Sequence, residues 1–361
     1  DGKGLIQIAM EKRFRDSDWR SGYYRDQTWM MAMGLYDSLE FFHQLYGNTD
    51  RQVNHGSGGR VFKNHFSIPN INPDGSWRDL TKQKNSSFDI SPTAGQMPRL
   101  LGLAYASKLF RQNKDLHKFT TLSAKGDEVA FGSIGDASTS EGYFWETMNA
   151  AAVLQVPMAI SVYDDGYGIS VPKKYQTTKG SISEILKGFE TEKDKPGIRI
   201  FKGKGWDYPG LIKLYEEGIA ICREQHTPVL FHIEEVTQPQ GHSTSGSHER
   251  YKDDERLKWE DKFDPIKKMR EWILESGIAS PEELDKLAAE VVEEVKGSRK
   301  KGWDMFQEPI RIERDALVKI ITDRSCKCTE EVKEETVDTL TEDLKKVVSP
   351  IRKDNFVTAR K

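Results

Sequence analysis

Two short apolar runs that each stop at aspartate, one strand–helix–strand unit apart, constrain this chain more than any other feature. "EVAFGSIGDA" ends in Gly135, Asp136 and Ala137, and "VPMAISVYDDG" ends in Asp164, Asp165 and Gly166. About thirty residues separate Asp136 from Asp165, the length that a strand, a crossover helix and a second strand occupy. If the two strands are neighbours joined by a right-handed crossover, both carboxylates emerge at one edge of a parallel sheet, where open α/β folds bind ligands. Two carboxylates there suggest a hard divalent cation such as Mg²⁺, whose shell is completed by phosphate oxygens and water, so a phosphate ester is the expected ligand. Gly135 and Gly166 let the backbone approach it, the Tyr167 carbonyl offers another oxygen, and a helix opening near Ser138 and Thr139 would aim free N–H groups at the anion. Read separately, each piece has a plainer meaning: "DDG" is a solvent-facing turn and "GDA" a strand-to-helix turn. It is the spacing that joins them.

The flanking sequence fits the same architecture. Residues 1–50 read as mainly helical, and residues 51–90, rich in Gly, Asn, Ser and Pro, as a long irregular segment carrying His55 and His65. Helices are expected over residues 92–110, 139–153 and 211–223, and further strands at "GIRIFKG" and "PVLFHIEEV". Apolar runs alternating with helices argue for a mostly parallel sheet with helices on both faces. Residues 253–301 turn helical and charged, and Ser280, Pro281, Glu282 and Glu283 match a capping box with proline at the first helical position. Composition shifts again after Trp303. The expected division is therefore a domain over residues 1–302 and a helical extension or linker over residues 303–361, solvated rather than core.

At 36% hydrophobic residues and net charge −3, the 361-residue chain reads as soluble and globular, with neither nucleic acid nor membrane suggested as a partner. No uncharged apolar stretch approaches the roughly 20 residues of a membrane span, and "DGKGLIQIAMEKRF" lacks the order of a signal peptide. Helical spacing of Leu5, Ile6, Ala9 and Met10 from the outset suggests a fragment or trimmed chain. Cys222, Cys326 and Cys328 form neither a disulfide framework nor a zinc spacing and read as reduced thiols. The expected setting is intracellular: bacterial cytoplasm, or mitochondrial matrix if the source is eukaryotic.

"GDASTSEGYFWETMNAAAVLQVPMAISVYDDGYGIS" resembles the thiamine-diphosphate motif of the alpha subunits of 2-oxo acid dehydrogenases, in which Gly-Asp-Gly precedes Asn-Asn by about thirty residues. The resemblance continues in order through "YYRDQTWMMAMG", "LYGN", "GGRVFKNH", "SPTAGQMPRLLGLAYASK", "GKGWDYPGLIKLYEEGIAICREQHTPVLFHIEE" and "GHSTS", over roughly residues 20 to 300, and is nearest in character to the branched-chain type. It implies the thiamine-diphosphate-binding α/β fold, with Asp136, Asp165 and the Tyr167 carbonyl as Mg²⁺ ligands. It also implies that Tyr24 and Arg25 meet the diphosphate, that Ser91 and Thr93 approach the cofactor, and that Gly135, Ala137, Ser138 and Ile169 join the cofactor-facing set. His242 matches a loop histidine near the reacting centre and the diphosphate, and His65 has a weaker claim to a catalytic role at the substrate carboxylate. The plain alternatives are a surface pair with Asp26 for Arg25, a helix N-cap for Ser91 and a solvated loop histidine for His242. The reaction implied is decarboxylation of a 2-oxo acid with acyl transfer to a lipoyl group on a separate acyltransferase. It needs a beta subunit or fused beta half, in an α2β2-type assembly, because the glutamate that activates the cofactor in relatives has no counterpart here.

Several positions depart from the family pattern. Asp164 and Asp165 replace Asn-Asn, Tyr163 stands where branched-chain members often carry arginine, and "TQPQ" replaces an arginine upstream of the loop histidine. These changes make a phosphate site more negative, and Lys173, Lys174 or Lys179 could compensate. Gly95 in place of threonine puts a structural potassium site near Gln96 in doubt, and Gly246 replaces the acidic residue that follows a regulatory phosphorylation loop in some relatives. Two other readings follow: another thiamine-diphosphate enzyme, of the acetoin dehydrogenase or transketolase kind, or a degenerate non-catalytic subunit.

Overall fold

The computed structural model describes residues 2–61, 64–193, 195–242, 248–323 and 334–361. Cys326, Cys328 and residues 243–246 of the phosphorylation-loop motif lie outside the described residues. The strands are β1 (Trp19–Ser21), β2 (Asn85–Ser86), β3 (Ala130–Gly135), β4 (Met158–Tyr163), the hairpin pair β5 (Tyr167–Gly168) and β6 (Val171–Pro172), β7 (Arg199–Lys204) and β8 (Val229–Glu234). Six of them form one sheet in the order β2-β1-β3-β4-β8-β7, with every pair parallel. The helices are α1 (Gly4–Glu11), α2 (Gln27–Ala32), α3 (Ser38–Tyr46), α4 (Gln96–Gln112), α5 (Gly142–Leu154), α6 (Ile182–Ile185), α7 (Tyr208–Gln225), α8 (Asp254–Lys262), α9 (Pro265–Glu275), α10 (Pro281–Thr322), α11 (Glu334–Lys346) and α12 (Arg352–Arg360). No described helix is long and apolar enough to cross a membrane.

Strand periodicity sorts the core into two layers. Phe131, Tyr163, Val229, Phe231 and Ile233 pack on one face with Ile6 and Met10 of α1, Trp29 of α2 and Tyr215 of α7. Ala130, Ile134, Ile160, Val162 and Leu230 point the other way, onto Met97, Leu100, Phe144 and Met148 of α4 and α5. Gly132 lies on that second face, where a Cβ would come within 2.4 Å of Leu100 Cδ2; the missing side chain lets α4 lie close on β3. All four long strands expected from the sequence are present. The short β1 and β2 fall in stretches read as helical and irregular, because two or three residues are too few to register a period.

A fully buried ion network fastens β1 to its neighbours. Arg20 donates to Asp26 Oδ2 at 2.7 Å, to Asp89 Oδ2 at 3.0 Å and to Ser86 Oγ at 2.9 Å, while Ser133 Oγ of β3 donates to Asp26 Oδ1 at 2.7 Å. Asp26 thus spans the turn that holds residues 22–26, the segment following β1. The surface pairing of Arg25 with Asp26 does not occur, because Asp26 has no exposed area and already serves Arg20.

The 42-residue α10 opens with the expected capping box: Ser280 Oγ accepts from Glu283 N, and Glu283 Oε2 accepts from Ser280 N. It packs on α3 where Gly302 faces Phe42 and Leu39, and Tyr46 meets Trp303 edge to face at 5.2 Å. The shift of composition after Trp303 therefore lies inside one helix. The tail is also less solvated than its charge suggests: α11 buries Thr341 and Leu344, and α12 sends Asn355 Nδ2 to Ile310 O at 3.2 Å.

Arg20→Met leaves two buried carboxylates without their cation. Urea unfolding is expected to show a loss of about 3–5 kcal/mol; a loss below about 1 kcal/mol would mean that the network is dispensable.

Candidate functional site

A cavity of about 390 Å³ opens at the carboxyl edge of the sheet. Its walls come from the segments that follow four strands: Tyr23, Tyr24 and Arg25 after β1; Asp136, Ala137 and Ser138 after β3; Asp165, Tyr167, Gly168 and Ile169 after β4; Gln238 and His242 after β8. Strand order reverses between β1 and β3, so the crevice sits where a doubly wound sheet leaves room for a ligand. Thr93, Gly135 and Lys3 complete the wall used below. The structure thus gathers Tyr24, Arg25, Thr93, Gly135, Asp136, Ala137, Ser138, Asp165, Tyr167, Ile169 and His242 in one place.

The two adjacent aspartates part company because β4 has not quite ended at Tyr163. Asp164 N donates to Ile233 O at 2.8 Å and Asp164 O accepts from Val236 N at 3.1 Å, so residue 164 still belongs to the ladder with β8. Alternation then sends its side chain to the face of His232 and leaves Asp165 to turn toward the cavity. Asp164 Oδ2 accepts from Lys173 Nζ at 2.7 Å and from His232 Nε2 at 3.0 Å, and Oδ1 accepts from Gly166 N at 2.9 Å. Burial opposes ionisation, but the bonds from His232 and Lys173 outweigh it and bring the Asp164 carboxyl down to about 2. Of the lysines proposed to offset the added charge, Lys173 does so; Lys174 lies over the ring of Tyr175. Asp164, His232 and Glu234 bring ligand atoms within 4.8 Å of one another. Lys173 on Asp164 and Lys202 on Glu234, at 3.3 Å, already supply the cations there.

Asp136 and Asp165 face a different balance. Burial, then the charges of Asp165 and Asp164, push the Asp136 carboxyl well above the usual carboxylate range. Asp165 Oδ1 accepts from Tyr167 N at 3.0 Å, which curls the chain so that residues 165–169 line the cavity. Arg256 of α8 braces this turn from behind, donating to Asp165 O at 2.8 Å and lying 5.7 Å from the centre of the Tyr167 ring. A pair of crowded carboxylates beside a peptide turn is the donor set of a hard cation, which would remove the repulsion that raises Asp136.

Arg25 lies over the Tyr24 ring at 5.2 Å and donates to His242 O at 3.2 Å, so the segment after β1 is tied to the one after β8. Burial, with Arg25 adding to it, lowers the pKa of His242, and its Nδ1 is buried without a hydrogen-bond partner, as is Tyr23 Oη. Two orphaned polar atoms at one cavity wall suit a polar ligand. Ser91 and His65 fall elsewhere. His65 Nε2 and Ser91 Oγ are 2.8 Å apart, and Ser91 lines a separate hollow with Gln44, Gly59 and Arg60. Ser91 does not cap α4 either; Gly95 holds that position, with no side-chain bond. The turn after Asp136 also differs from expectation: a 3-10 turn over Ala137–Ser140 comes first, and α5 begins at Gly142. Gln96, beside the doubtful potassium position, donates to Ser133 O at 3.0 Å.

Sequence reasoning missed Lys3, Gln238, His232 and Arg256. Lys3 is buried, with Nζ 3.2 Å from Gln238 Oε1 and 3.9 Å from Asp165 Oδ2. Burial lowers its pKa against the pull of Asp165. A lone lysine ahead of an amphipathic helix carries no signal in sequence; its place depends on the contact of Gly2 with Thr237, more than two hundred residues away.

Comparison with known proteins gives the chain's family. The family model described as dehydrogenase E1 component matches residues 1–308. The chain is similar to 2-oxoisovalerate dehydrogenase subunit alpha 1, mitochondrial, of Arabidopsis thaliana, at 26% identity over 325 residues, covering 89% of this chain and 58% of that protein. It is similar to the 2-oxoisovalerate dehydrogenase subunit alpha, mitochondrial, of Caenorhabditis elegans, at 29% over 258 residues, covering 71% of this chain and 50% of that protein. The pyruvate dehydrogenase E1 component subunit alpha of Acholeplasma laidlawii is 29% identical over 311 residues, covering 83% of this chain and 73% of that protein. The chain thus spans between half and three-fifths of the plant and nematode proteins.

Asp136→Asn removes a buried ionisable group. A carboxyl whose folded pKa exceeds its unfolded one loses stability as pH rises, so the metal-free variant should outlast the parent chain in urea at pH 8 and match it at pH 4, where the parent carboxyl already holds its proton. An equal midpoint at pH 8 would contradict the assigned repulsion.

Proposed function

The chain belongs to the dehydrogenase E1 component family, and on that premise we propose that it is the alpha half of a branched-chain-type 2-oxo acid dehydrogenase, gripping thiamine diphosphate through Mg²⁺. The observation that carries this reading is the convergence of Asp136 and Asp165 with Arg25 and His242 in one cavity at the carboxyl ends of parallel strands. Asp136, Asp165 and the Tyr167 carbonyl would hold the cation. Arg25, backed by the Tyr24 ring, would meet the diphosphate with a planar fork that suits phosphate oxygens. Bound thiamine diphosphate supplies an electron sink for loss of CO₂ from a 2-oxo acid. This chain's part is grip, charge and orientation, with His242 placed to hold or move a proton at its unpartnered Nδ1.

The proposal includes partners that the chain does not itself contain: a beta subunit or fused beta half that completes the site in an α2β2-type assembly, and a lipoyl acyltransferase that accepts the acyl group. It places cofactor grip in residues 1–302 and treats residues 303–361 as a helical extension, in bacterial cytoplasm or mitochondrial matrix. Lys173 and His232 offset part of the charge added at Asp164, which weighs against the degenerate-subunit reading.

Calorimetric titration of thiamine diphosphate into the chain with its beta half tests the proposal. Binding should require Mg²⁺, and Arg25→Met should weaken it about 10- to 100-fold. A folded complex that binds no cofactor with or without Mg²⁺ would overturn it.

A further inference from the structure

We propose that Lys3 is a diphosphate-binding residue of this site, supplying from just before α1 the positive charge that the cavity-lining residues after β4 and β8 lack. The inference rests on the cofactor reading above and extends it to a residue outside the family motif. Its starting point is placement. Lys3 is the residue before α1, only 3% exposed, yet it lines the cavity together with Arg25 and His242. Its ammonium sits 3.2 Å from Gln238 Oε1 and 3.9 Å from Asp165 Oδ2.

That placement is built. Gly2 N donates to Thr237 O at 3.0 Å, and a Cβ on Gly2 would fall 2.0 Å from the same oxygen, so the chain before α1 is pressed against the segment that carries Gln238. Ile6 and Met10 then anchor α1 in the core. A long flexible side chain would ordinarily leave such a site for water, since burying an ammonium costs several kcal/mol unless charge and hydrogen bonds repay it. Here two of its partners, Asp165 and Gln238, line the cavity.

The charges lining the cavity give the second argument. Asp136 and Asp165 contribute two carboxylates, and Arg25 and Lys3 are the arginine and the lysine on the wall among the described residues. Tyr163 and Gln238 hold positions in the segments where the family resemblance leads one to expect arginine. Gln238 is uncharged, yet its oxygen orients Lys3 into the cavity. Without Lys3 the wall would carry an excess of negative charge against a diphosphate, and one divalent cation would have to offset both.

The test uses the full chain with inorganic pyrophosphate as a probe that needs no partner half. Pyrophosphate binding is followed by calorimetry at saturating Mg²⁺, and Mn²⁺ binding alone by electron paramagnetic resonance. Lys3→Met is expected to weaken pyrophosphate about 10- to 100-fold while binding Mn²⁺ at least as tightly as the parent, because a cation competing for Asp165 has gone. Lys3→Arg should stay within a few-fold of the parent, and Gln238→Arg should restore pyrophosphate binding to the Lys3→Met chain. Unchanged pyrophosphate affinity in Lys3→Met, or loss of Mn²⁺ and pyrophosphate together, would overturn the proposal and leave Lys3 as a structural partner of Asp165. A folded parent chain that binds no pyrophosphate with Mg²⁺ would overturn the cofactor reading as well.

Discussion

The parallel pairing of β3 with β4, which sets Gly135 opposite Tyr163, is the constraint on which the site depends. Once these residues are aligned, Asp136 and the Asp164–Asp165 pair leave the sheet at the same level, and hydrogen bonds rather than side-chain preference determine where they go. Asp136 N accepts no choice of direction: it donates to Tyr163 O at 3.1 Å, so the turn after β3 is welded to the end of β4. The crevice between β1 and β3 then receives ligand groups from four strand ends, each held by a different neighbour.

Charge is distributed around that register in separate compartments. Arg20 holds Asp26 and Asp89 beneath the segment after β1, and Lys173 and His232 hold Asp164 beyond β4. The first compartment lies apart from the cavity, whereas Asp164, although held by Lys173 and His232, still acts on Asp136 through its charge. What remains facing the cavity is a crowded carboxylate pair opposed by Arg25 and Lys3, an arrangement that invites a cation and an anion together.

The long strands and the helices between them were legible because their apolar runs are long enough to show a period, and because Asp136 and Asp165 sit one unit apart. The capping box at Ser280 was legible for a local reason: its bonds are made within four residues. What the sequence concealed was long-range. The division of labour between Asp164 and Asp165 depends on β4 extending its pairing with β8 by one residue, which turns the Asp164 side chain to Lys173 and His232 while its charge still raises Asp136. Lys3 depends on contacts with Thr237 and Gln238, and His65 with Ser91 on the course of an irregular segment. No local pattern reports such contacts.

In the proposed site the cation belongs to the first and third of the three strand-end aspartates and not to the second. The most direct measurement is anomalous diffraction from crystals grown with Mn²⁺ and thiamine diphosphate. One peak is expected between Asp136 and Asp165, next to the Tyr167 carbonyl, and none at Asp164, His232 and Glu234. A peak in the latter group, or no peak beside bound cofactor, would contradict it.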